Sequence, residues 1–566
     1  MQRTTACLSA VLAVSLFITT SRAADQERPW PGAVDGWTKP AAAEHPRLFF
    51  RKMDLPELRR RAETREGKAI VERLKVLLGG GETMPRHKRT DETGKDELPV
   101  GAYTMSHAAG FGLLYQITGK KKYAELGKEC FEWALEGIRD RDAGGRYSFK
   151  SPNGALRAGP SLGWYAVGYD LCYDGWDEAY RRKITEAIYD YDEGKYMSLA
   201  ELVRGSRHMP ASNHWGMQVG GGALAVLAIM GEPGVDSAVI RKLLEESSRA
   251  MIRNLTEGFG DHGWFPEGDG TGSMSSHIAF ASALKAWKVA GGRDFISPRP
   301  NAPWMTLKWI FLTIPRDGRM DFPKRGAYPH NVWDRDGLSG AGYFAQGFGA
   351  VAEAHKRALL WFYNHHLRDA DAKAGTPFDT PSVYPHNAVL AFINWPLDLA
   401  EQNPGDILPN AVMDNKWGFF MCRNRWRDEG DIAISIQTRN TRGWHKANTK
   451  GDVTIWGLGE KTKWGRMKTD IEHFVHAEDG SSILRGTDGT HLAIDFSKAS
   501  GAEAMLVMCG PGAPSERVLS AGGVAFAFKF LTRDSEPEPR IEGDTIVVGK
   551  QKVSFDGKKI VLDTMP

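Results

Sequence analysis

A change of pattern near residue 404 divides this sequence into a helical part and a strand-rich part. From about residue 52 to about residue 400, apolar residues recur at the spacing of amphipathic helices, and these helices come in pairs. After Pro404, short runs rich in β-branched and aromatic residues alternate with turn residues. This order predicts an α+β multidomain protein, with a helical toroid or solenoid followed by an antiparallel β-sandwich.

The domain organisation follows from the same pattern. We predict a signal peptide over residues 1–23, a helical toroid domain over 24–400 and a β-sandwich over 401–566, with the boundary near Pro396–Pro409. Polar segments rich in Gly, His, Asp and Trp fall between the helices. Functional loops on one side of a helical array are typical of toroids and solenoids.

The first 23 residues read as an export signal. Arg3 precedes an apolar run from Cys7 to Ile18, and Ser21 and Ala23 place small residues at the positions before a cleavage site. The run is too short to span a bilayer stably. A retained anchor is the alternative, but the pattern predicts a secreted or periplasmic protein without a membrane span.

The net charge limits the partners of the chain. Of 73 basic and 70 acidic residues, a cleaved signal removes Arg3, Arg22 and no acid, which leaves 71 against 70. This balance argues against nucleic-acid binding through bulk charge. Any attraction for a polyanion must therefore come from a local cluster of cations. The 18 Trp are unusual, and although most should fill the core, indole rings also stack on the apolar faces of sugars.

Two loops of the helical part gather chemistry-bearing side chains. Residues 207–216 combine a cation, two imidazoles, an amide and an indole at the start of an apolar helix, where a plain helix cap at Asn213 is the simpler interpretation. Residues 261–272 form a Gly-rich loop between long helices, which is costly in conformational entropy unless the loop is used. A surface loop is the alternative there.

A third cluster lies in the strand-rich part. Residues 439–448 place three cations beside a tryptophan and a histidine. A solvated loop between strands would also explain this composition. If it is a site, the cations provide the local positive charge that an acidic polymer would need.

These features together resemble the heparinase II/III-like polysaccharide lyases, which include lyases for heparin, heparan, chondroitin and alginate. The similar features are Asn213-His214 at the start of a central helix, the helix-pair segment 114–124, and the loop Gly263–Gly268 with its Glu-Gly end. The resemblance covers most of the mature chain. It implies an incomplete (α/α) toroid and a β-sandwich that contributes to the cleft.

The resemblance also implies catalytic residues. Asn213 and His214 match the family's Asn-His pair, and His445 matches the histidine that the β-domain supplies. In β-elimination, Asn213 and His214, with Arg207, would stabilise the uronate carboxylate as the C5 proton leaves. His445 or His214 would act as the base, since an imidazole titrates near neutral pH.

One family feature is missing. Members place a tyrosine shortly after the Glu-Gly sequence, where it serves as acid or base, but residues 269–278 contain none. His277 is the nearest titratable ring in that stretch. Tyr328 in the following loop or Tyr165 in an earlier helix are the other candidates for the role.

Further residues are expected to contact substrate. The tryptophans would stack on sugar rings, and the cations would hold acidic groups. These expected contacts are His208, Trp215, Trp264, Glu267, Arg439, Arg442, Trp444 and Lys446.

No cofactor is expected to be required. The sequence has no CxxC or HExxH pattern, and Asn448 stands where some family members have a metal ligand after the β-domain histidine, so a structural divalent metal would lack a full ligand set. Cys130 and Cys172 fall in predicted apolar helices and are expected to be buried thiols.

Two other functions remain open. A glycoside hydrolase needs two carboxylates that face the scissile bond, and Asp261, Glu267 and Asp269 lie close in sequence. That chemistry gives no role to Asn213 and His214. A non-catalytic glycan-binding protein would keep the Trp and Arg residues but would not need His214 and His445 together.

Overall fold

The computed structural model describes residues 30–87, 97–205, 207–297, 299, 301–316, 319–327, 346–368, 383–441, 448 and 451–566. Within these residues the chain is an α+β multidomain protein, with an N-terminal incomplete (α/α) toroid and a C-terminal antiparallel β-sandwich. This confirms the fold class predicted from the sequence.

The described helices of the toroid include almost fully buried inner helices and amphipathic outer ones. Their bounds are α1 Leu55–Glu63, α2 Arg65–Leu77, α3 His107–Thr118, α4 Lys121–Glu136, α5 Ala155–Cys172, α6 Glu178–Tyr189, α7 Leu199–Arg204, α8 Asn213–Ala228, α9 Ser237–Arg253, α10 Asp269–Ser276, α11 Phe280–Val289, α12 Asn301–Leu312, α13 Glu353–His366 and α14 Pro385–Asn394. None of the described helices is long and apolar enough to cross a membrane.

The inner helices run parallel to one another. Gly159 of α5 lies against Met217 of α8, and four residues further along both helices Gly163 lies against Gly221. Contacts between α8 and the α10–α11 segment, and between α3 and α5, follow the same ascending order. The amino ends of these helices therefore all point toward one end of the toroid. Because each helix dipole is positive at its amino end, that end favours anions.

Glycines let α8 approach its neighbours closely. A methyl group added at Gly221 would lie 1.8 Å from the carbonyl oxygen of Gly159, and one added at Gly216 would lie 1.9 Å from the carbonyl oxygen of Ser275. These contacts involve backbone atoms, which cannot move aside as a flexible side chain can. The Gly-rich sequence of this apolar helix is therefore a packing requirement.

Gly221→Ala is expected to destabilise the protein by about 2 kcal/mol because it overpacks the α5–α8 contact. In an unconstrained helix the same change would stabilise by about 1 kcal/mol, so the sign of the effect is diagnostic. Chemical denaturation followed by helical circular dichroism measures it. Glu245→Ala, on the exposed face of α9, is the control and should change stability little. A Gly221→Ala protein as stable as wild type would contradict the close backbone contact.

The N-terminal segment is held to the toroid by buried charges. His45 bonds Asp170 through Nδ1 at 2.6 Å and Glu232 through Nε2 at 3.0 Å. Nη2 of Arg47 donates to Glu232 at 2.8 Å, and the hydroxyl of Tyr173 donates to the same carboxylate at 2.7 Å. All these groups are buried, so the network closes the segment that precedes α1 onto α5 and the turn after α8.

The strand-rich part is built from antiparallel sheets. Besides the short pairs β1 Gly32–Ala33 with β2 Arg293–Asp294 and β3 Ile314–Arg316 with β4 Arg319–Asp321, the described strands are β5 Ala411–Asp414, β6 Phe419–Arg423, β7 Ala433–Gln437, β8 Asp452–Gly457, β9 Glu460–Arg466, β10 Ile471–His476, β11 Ser482–Gly486, β12 His491–Asp495, β13 Ala504–Cys509, β14 Val518–Ala521, β15 Val524–Leu531, β16 Arg540–Glu542, β17 Thr545–Val548, β18 Gln551–Phe555 and β19 Ile560–Thr564. Their sheet orders are β5-β6-β7-β8-β9, β10-β11-β12-β13-β15-β14 and β16-β17-β18-β19.

The first of these sheets is covered on both faces. One face, which includes Phe420 and Val453, packs against the second sheet in a shared apolar core. The opposite face packs on the toroid through Phe419, Met421 and Trp456. Side chains alternate between the two faces along each strand. The toroid-facing side chains of β7, β8 and β9 therefore lie at the boundary between the toroid and the β-sandwich.

Candidate functional site

The amino end of α8 carries the residue pair singled out from the sequence. The helix cap is Ser212, whose hydroxyl accepts from the backbone N–H of His214, so the interpretation of Asn213 as the cap is wrong. Asn213 is instead the first helical residue, and its backbone N–H donates to Oε2 of Glu267 at 3.1 Å. Glu267 thus lies at the positive end of α8, and the structure brings these two predicted residues together.

Two predicted histidines form a stacked pair at the same place. The rings of His208 and His214 lie 4.3 Å apart with an interplanar angle of 21°. Nδ1 of His208 lies 3.0 Å from Nε2 of Gln218, one turn further along α8. Both rings are half-buried, so the loop before α8 folds back and leaves two imidazoles at its amino end.

Arg207 precedes this pair and is exposed. Its guanidinium lies 5.1 Å from the centre of the Tyr196 ring, and its backbone has a positive φ of 70°. A non-glycine residue in that conformation is uncommon and is often found at functional turns. The arginine therefore stands at the surface beside the histidine pair.

A buried charged cluster lies behind the Glu-Gly sequence. Oδ2 of Asp269 accepts from the backbone N–H of Arg325 at 2.7 Å, and the buried ammonium of Lys308 is close enough to interact with the Asp269 carboxylate. Burial raises the pKa of Asp269 and lowers the pKa of Lys308 to about 7. Burial also lowers the pKa of Arg325, whose Nη2 donates to the carbonyl of Phe265 at 3.2 Å. This cluster fixes the loop that carries Glu267.

Sequence reasoning did not select Lys308 or Arg325. Lys308 is the one charged residue of the largely apolar helix α12. A charge in such a helix indicates a buried ionic site, because a buried charge needs a nearby countercharge. Arg325 lies in the polar loop after α12, where nothing in the sequence separates it from neighbouring cations.

His277 is fully enclosed within the toroid. Its Nδ1 lies 2.6 Å from Oγ of Ser276, and burial together with the charge of Lys308 lowers its pKa to about 3. A neutral, enclosed ring of this kind does not reach a substrate in this arrangement. The placement therefore does not support His277 as a replacement for the family tyrosine.

Tyr165 is also enclosed. Its hydroxyl bonds that of Tyr103, and burial raises its pKa well above the ordinary value. Phe131 and Phe149 pack edge-on against its ring. Tyr165 therefore belongs to the core between α3, α4 and α5.

Two predicted sugar-stacking residues are core residues, which corrects that expectation. Trp215 is buried, donates from Nε1 to the carbonyl of Ala250 at 3.1 Å and is covered by Arg253. Trp264 is buried and stacks on Phe419 of β6 at 4.4 Å. A ring enclosed by protein offers no face to a sugar. Trp264 instead joins the toroid to the β-sandwich.

Arg439 follows β7 at the base of the third predicted cluster. Its guanidinium bonds both carboxylate oxygens of Asp470 at 2.7 and 2.9 Å and the carbonyl of Lys416 at 2.9 Å. The bond with Asp470 raises the pKa of Arg439. This pairing orients the start of the loop, so Arg439 would bind substrate only by exchanging an existing partner.

Other predicted residues lie outside the described part of the chain. They are Tyr328, Arg442, Trp444, His445 and Lys446, together with the signal peptide at 1–23.

A groove of about 380 Å³ lies between the toroid and the first β-sheet. Its walls include Arg325 from the toroid, Ser435 and Trp456 from the sheet, and Asn448. Asn448 follows His445 by three positions in the sequence and is one of the residues that line the groove.

The described residues contain no group of three or more His, Cys, Asp or Glu side chains placed to hold a metal ion. Cys130 and Cys172 are free and buried, as are Cys422 and Cys509. This confirms the expectation of buried thiols for the first two. Burial raises the pKa of Cys172, which makes the thiol unreactive.

Solved structures that resemble this chain include two glycan lyases. One is heparinase III, with 9% sequence identity and a TM-score of 0.37 over 86% of this chain and 77% of that chain. Another is a mutant of the heparan sulfate lyase HepC from Pedobacter heparinus, with 12% identity and a TM-score of 0.38 over 98% of this chain and 94% of that chain. No protein-family model matches the sequence, and no curated protein matches it either. At values this low, the likeness does not extend to activity or substrate.

Proposed function

We propose that this protein is an exported polysaccharide lyase that cleaves a uronic-acid-containing polymer, of the glycosaminoglycan or polyuronate class, by β-elimination. The observation that carries the proposal is the stacked pair of His208 and His214 beside Asn213 at the amino end of α8. Amide and imidazole donors at a positive helix end suit an anion that gains charge during the reaction.

The chemistry assigns a role to each of these groups. Removal of the C5 proton moves negative charge onto the uronate carboxylate, and a hydrogen bond from the half-buried His214 would stabilise that charge. Asn213 is buried and donates from Nδ2 to the sulfur of Met274 at 3.7 Å, so its amide would contribute by exchanging that partner. Gln218 bonds His208, which stacks on His214, so the pair is held in one orientation. His445 remains our proposed base, and Tyr328 our proposed acid for the departing O4.

Hydrolysis fits the arrangement less well. A glycosidase needs two carboxylates open to the scissile bond. Glu267 is buried and accepts from the backbone of Asn213, while Asp269 is buried against Arg325 and Lys308. Asp261 is exposed. Because Glu267 and Asp269 are both buried, neither offers an open carboxylate that could form a catalytic pair with Asp261.

Ultraviolet absorbance of the reaction products tests the proposal. The mature protein is incubated with heparin, heparan sulfate, chondroitin sulfate, alginate and glucuronan, because β-elimination leaves an absorbing unsaturated uronate at each new end. We expect absorbance to rise with at least one polymer while chain length falls. Shortening without absorbance would indicate hydrolysis, and retained binding without shortening would indicate a glycan-binding protein.

A further inference from the structure

The edge strand β9 carries a row of cations on one face. Lys461 pairs with Trp456 and Lys463 pairs with Thr454 across the β8–β9 ladder. Trp456 and Thr454 both line the groove between the toroid and the sheet. The two lysines therefore face the groove, since paired residues of neighbouring strands share a face.

A bulge keeps a later cation on the same face. Trp464 and Met467 both belong to the core between the sheets, although residues three apart in a regular strand would point to opposite sides. The ladder shifts register there, and Gly465 has a positive φ of 66°. This extra residue is a β-bulge. It returns Arg466, which pairs with Asp452, to the groove side. Lys468 follows the end of β9 and lines the same hollow as Arg466.

These cations line a continuous depression. A second hollow of about 660 Å³ at the outer side of β9 shares Asp452 and Lys463 with the groove. At about 3.3 Å per residue, the row extends over about 20 Å. The cations along the two hollows are Lys324, Arg325, Lys461, Lys463, Arg466 and Lys468.

The depression keeps a positive balance. The described acidic residues that line it are Asp452 and Asp488, and Asp321 lies beside it, 3.5 Å from Nζ of Lys461. Asp452 lies between Lys463 at 2.6 Å and Arg466 at 3.1 Å, while Lys468 has no ion-pair partner among the described residues. Exposed ion pairs contribute little to stability, so a polyanion can compete for these cations at small cost.

We propose that Lys461, Lys463, Arg466 and Lys468, the cationic row, bind an anionic polysaccharide chain outside the catalytic site. The identity of the polymer rests on the proposed function, but the binding does not. The row begins at the groove that Asn448 lines and leads away from it. A long chain engaged at the amino end of α8 would therefore have a second hold along β9, which favours long polymers over short ones.

Binding to immobilised heparin tests the row. The variant Lys461→Gln/Lys463→Gln/Lys468→Gln is compared with Lys498→Gln/Lys550→Gln/Lys558→Gln, which removes the same charge from exposed positions elsewhere in the β-sandwich. Relative to this control, we expect about a tenfold loss of affinity near 0.15 M salt. The slope of the logarithm of the binding constant against the logarithm of the salt concentration should decrease in magnitude by about 3, as for other linear polyanions.

Equal affinity and equal salt dependence of the two triple variants would overturn the proposal. In that case, increased aggregation of the first variant would show that the lysines only protect an edge strand from pairing. If the first variant does not fold, Lys468→Glu is compared with Lys550→Glu, and equal binding again overturns the row. Wild-type activity on heparan sulfate, measured in the same series, separates this result from a failure of the lyase proposal.

Discussion

Replacing His214 with alanine is expected to lower the rate of unsaturated-product formation by about 10²- to 10⁴-fold. The residue is half-buried at the amino end of α8, and its ring stacks on that of His208 at 4.3 Å. Its backbone N–H is bonded to Ser212, so the side chain is not what caps the helix. The loss should appear in kcat, because the imidazole acts mainly on the charge that develops in the transition state.

His365→Ala is the matched control. His365 is an exposed histidine on α13 that bonds Glu401 at 2.8 Å, and its removal should leave the rate within twofold of wild type. Circular dichroism should be the same for both variants. Near-normal turnover by His214→Ala would remove this residue from the mechanism and with it the main support for the lyase proposal.

Glu232→Gln is expected to destabilise the protein by about 3 kcal/mol. Glu232 accepts from His45, Arg47 and Tyr173 in a site closed to solvent. Loss of its charge leaves the buried Arg47 guanidinium without its carboxylate partner, and breaking a buried ion pair costs about 3–5 kcal/mol. Glu186→Gln, an exposed partner of Arg182 on α6, is the control and should change stability by less than about 0.5 kcal/mol.

The same network makes stability depend on pH. Burial alone would raise the pKa of Glu232, but hydrogen bonds from His45 and Tyr173 hold it below its ordinary value of 4.5. A carboxyl group with a lowered pKa stabilises the fold above its unfolded pKa and loses that contribution as pH falls through its folded pKa. The stability difference between wild type and Glu232→Gln should therefore shrink as pH falls below 4.5, as denaturation at several pH values will show. A constant difference would contradict the charged network.

Periodicity was enough to predict the architecture but not the breaks within it. Apolar spacing predicts one helix over Met274–Val289, whereas the chain forms α10 and α11 with an interruption between them. Hydrophobic patterning reports which side faces the core, and both segments face it. The interruption depends on tertiary contacts of α10 with α8, such as the close approach of Gly216 to Ser275, which leave no mark on local propensity.

The candidate site was predictable in part for a similar reason. Short-range features, such as Asn213 and His214 at a helix start, can be read from adjacent residues. The burial of Trp215 and Trp264 cannot, because it depends on Ala250 and Phe419, which are distant in the sequence. The cationic row was equally hidden, since only the bulge at Gly465 brings Arg466 onto the face of Lys461.

The glycine contacts of the inner helices also determine the width of the toroid. Where α5 and α8 touch backbone to backbone, no side chain sets their separation, so the spacing has a fixed lower limit. The width of the toroid depends on the sum of the spacings between neighbouring inner helices. A larger residue at Gly159, Gly216 or Gly221 would increase that sum. The width of the mouth of the toroid is thus set by glycines within the helix packing.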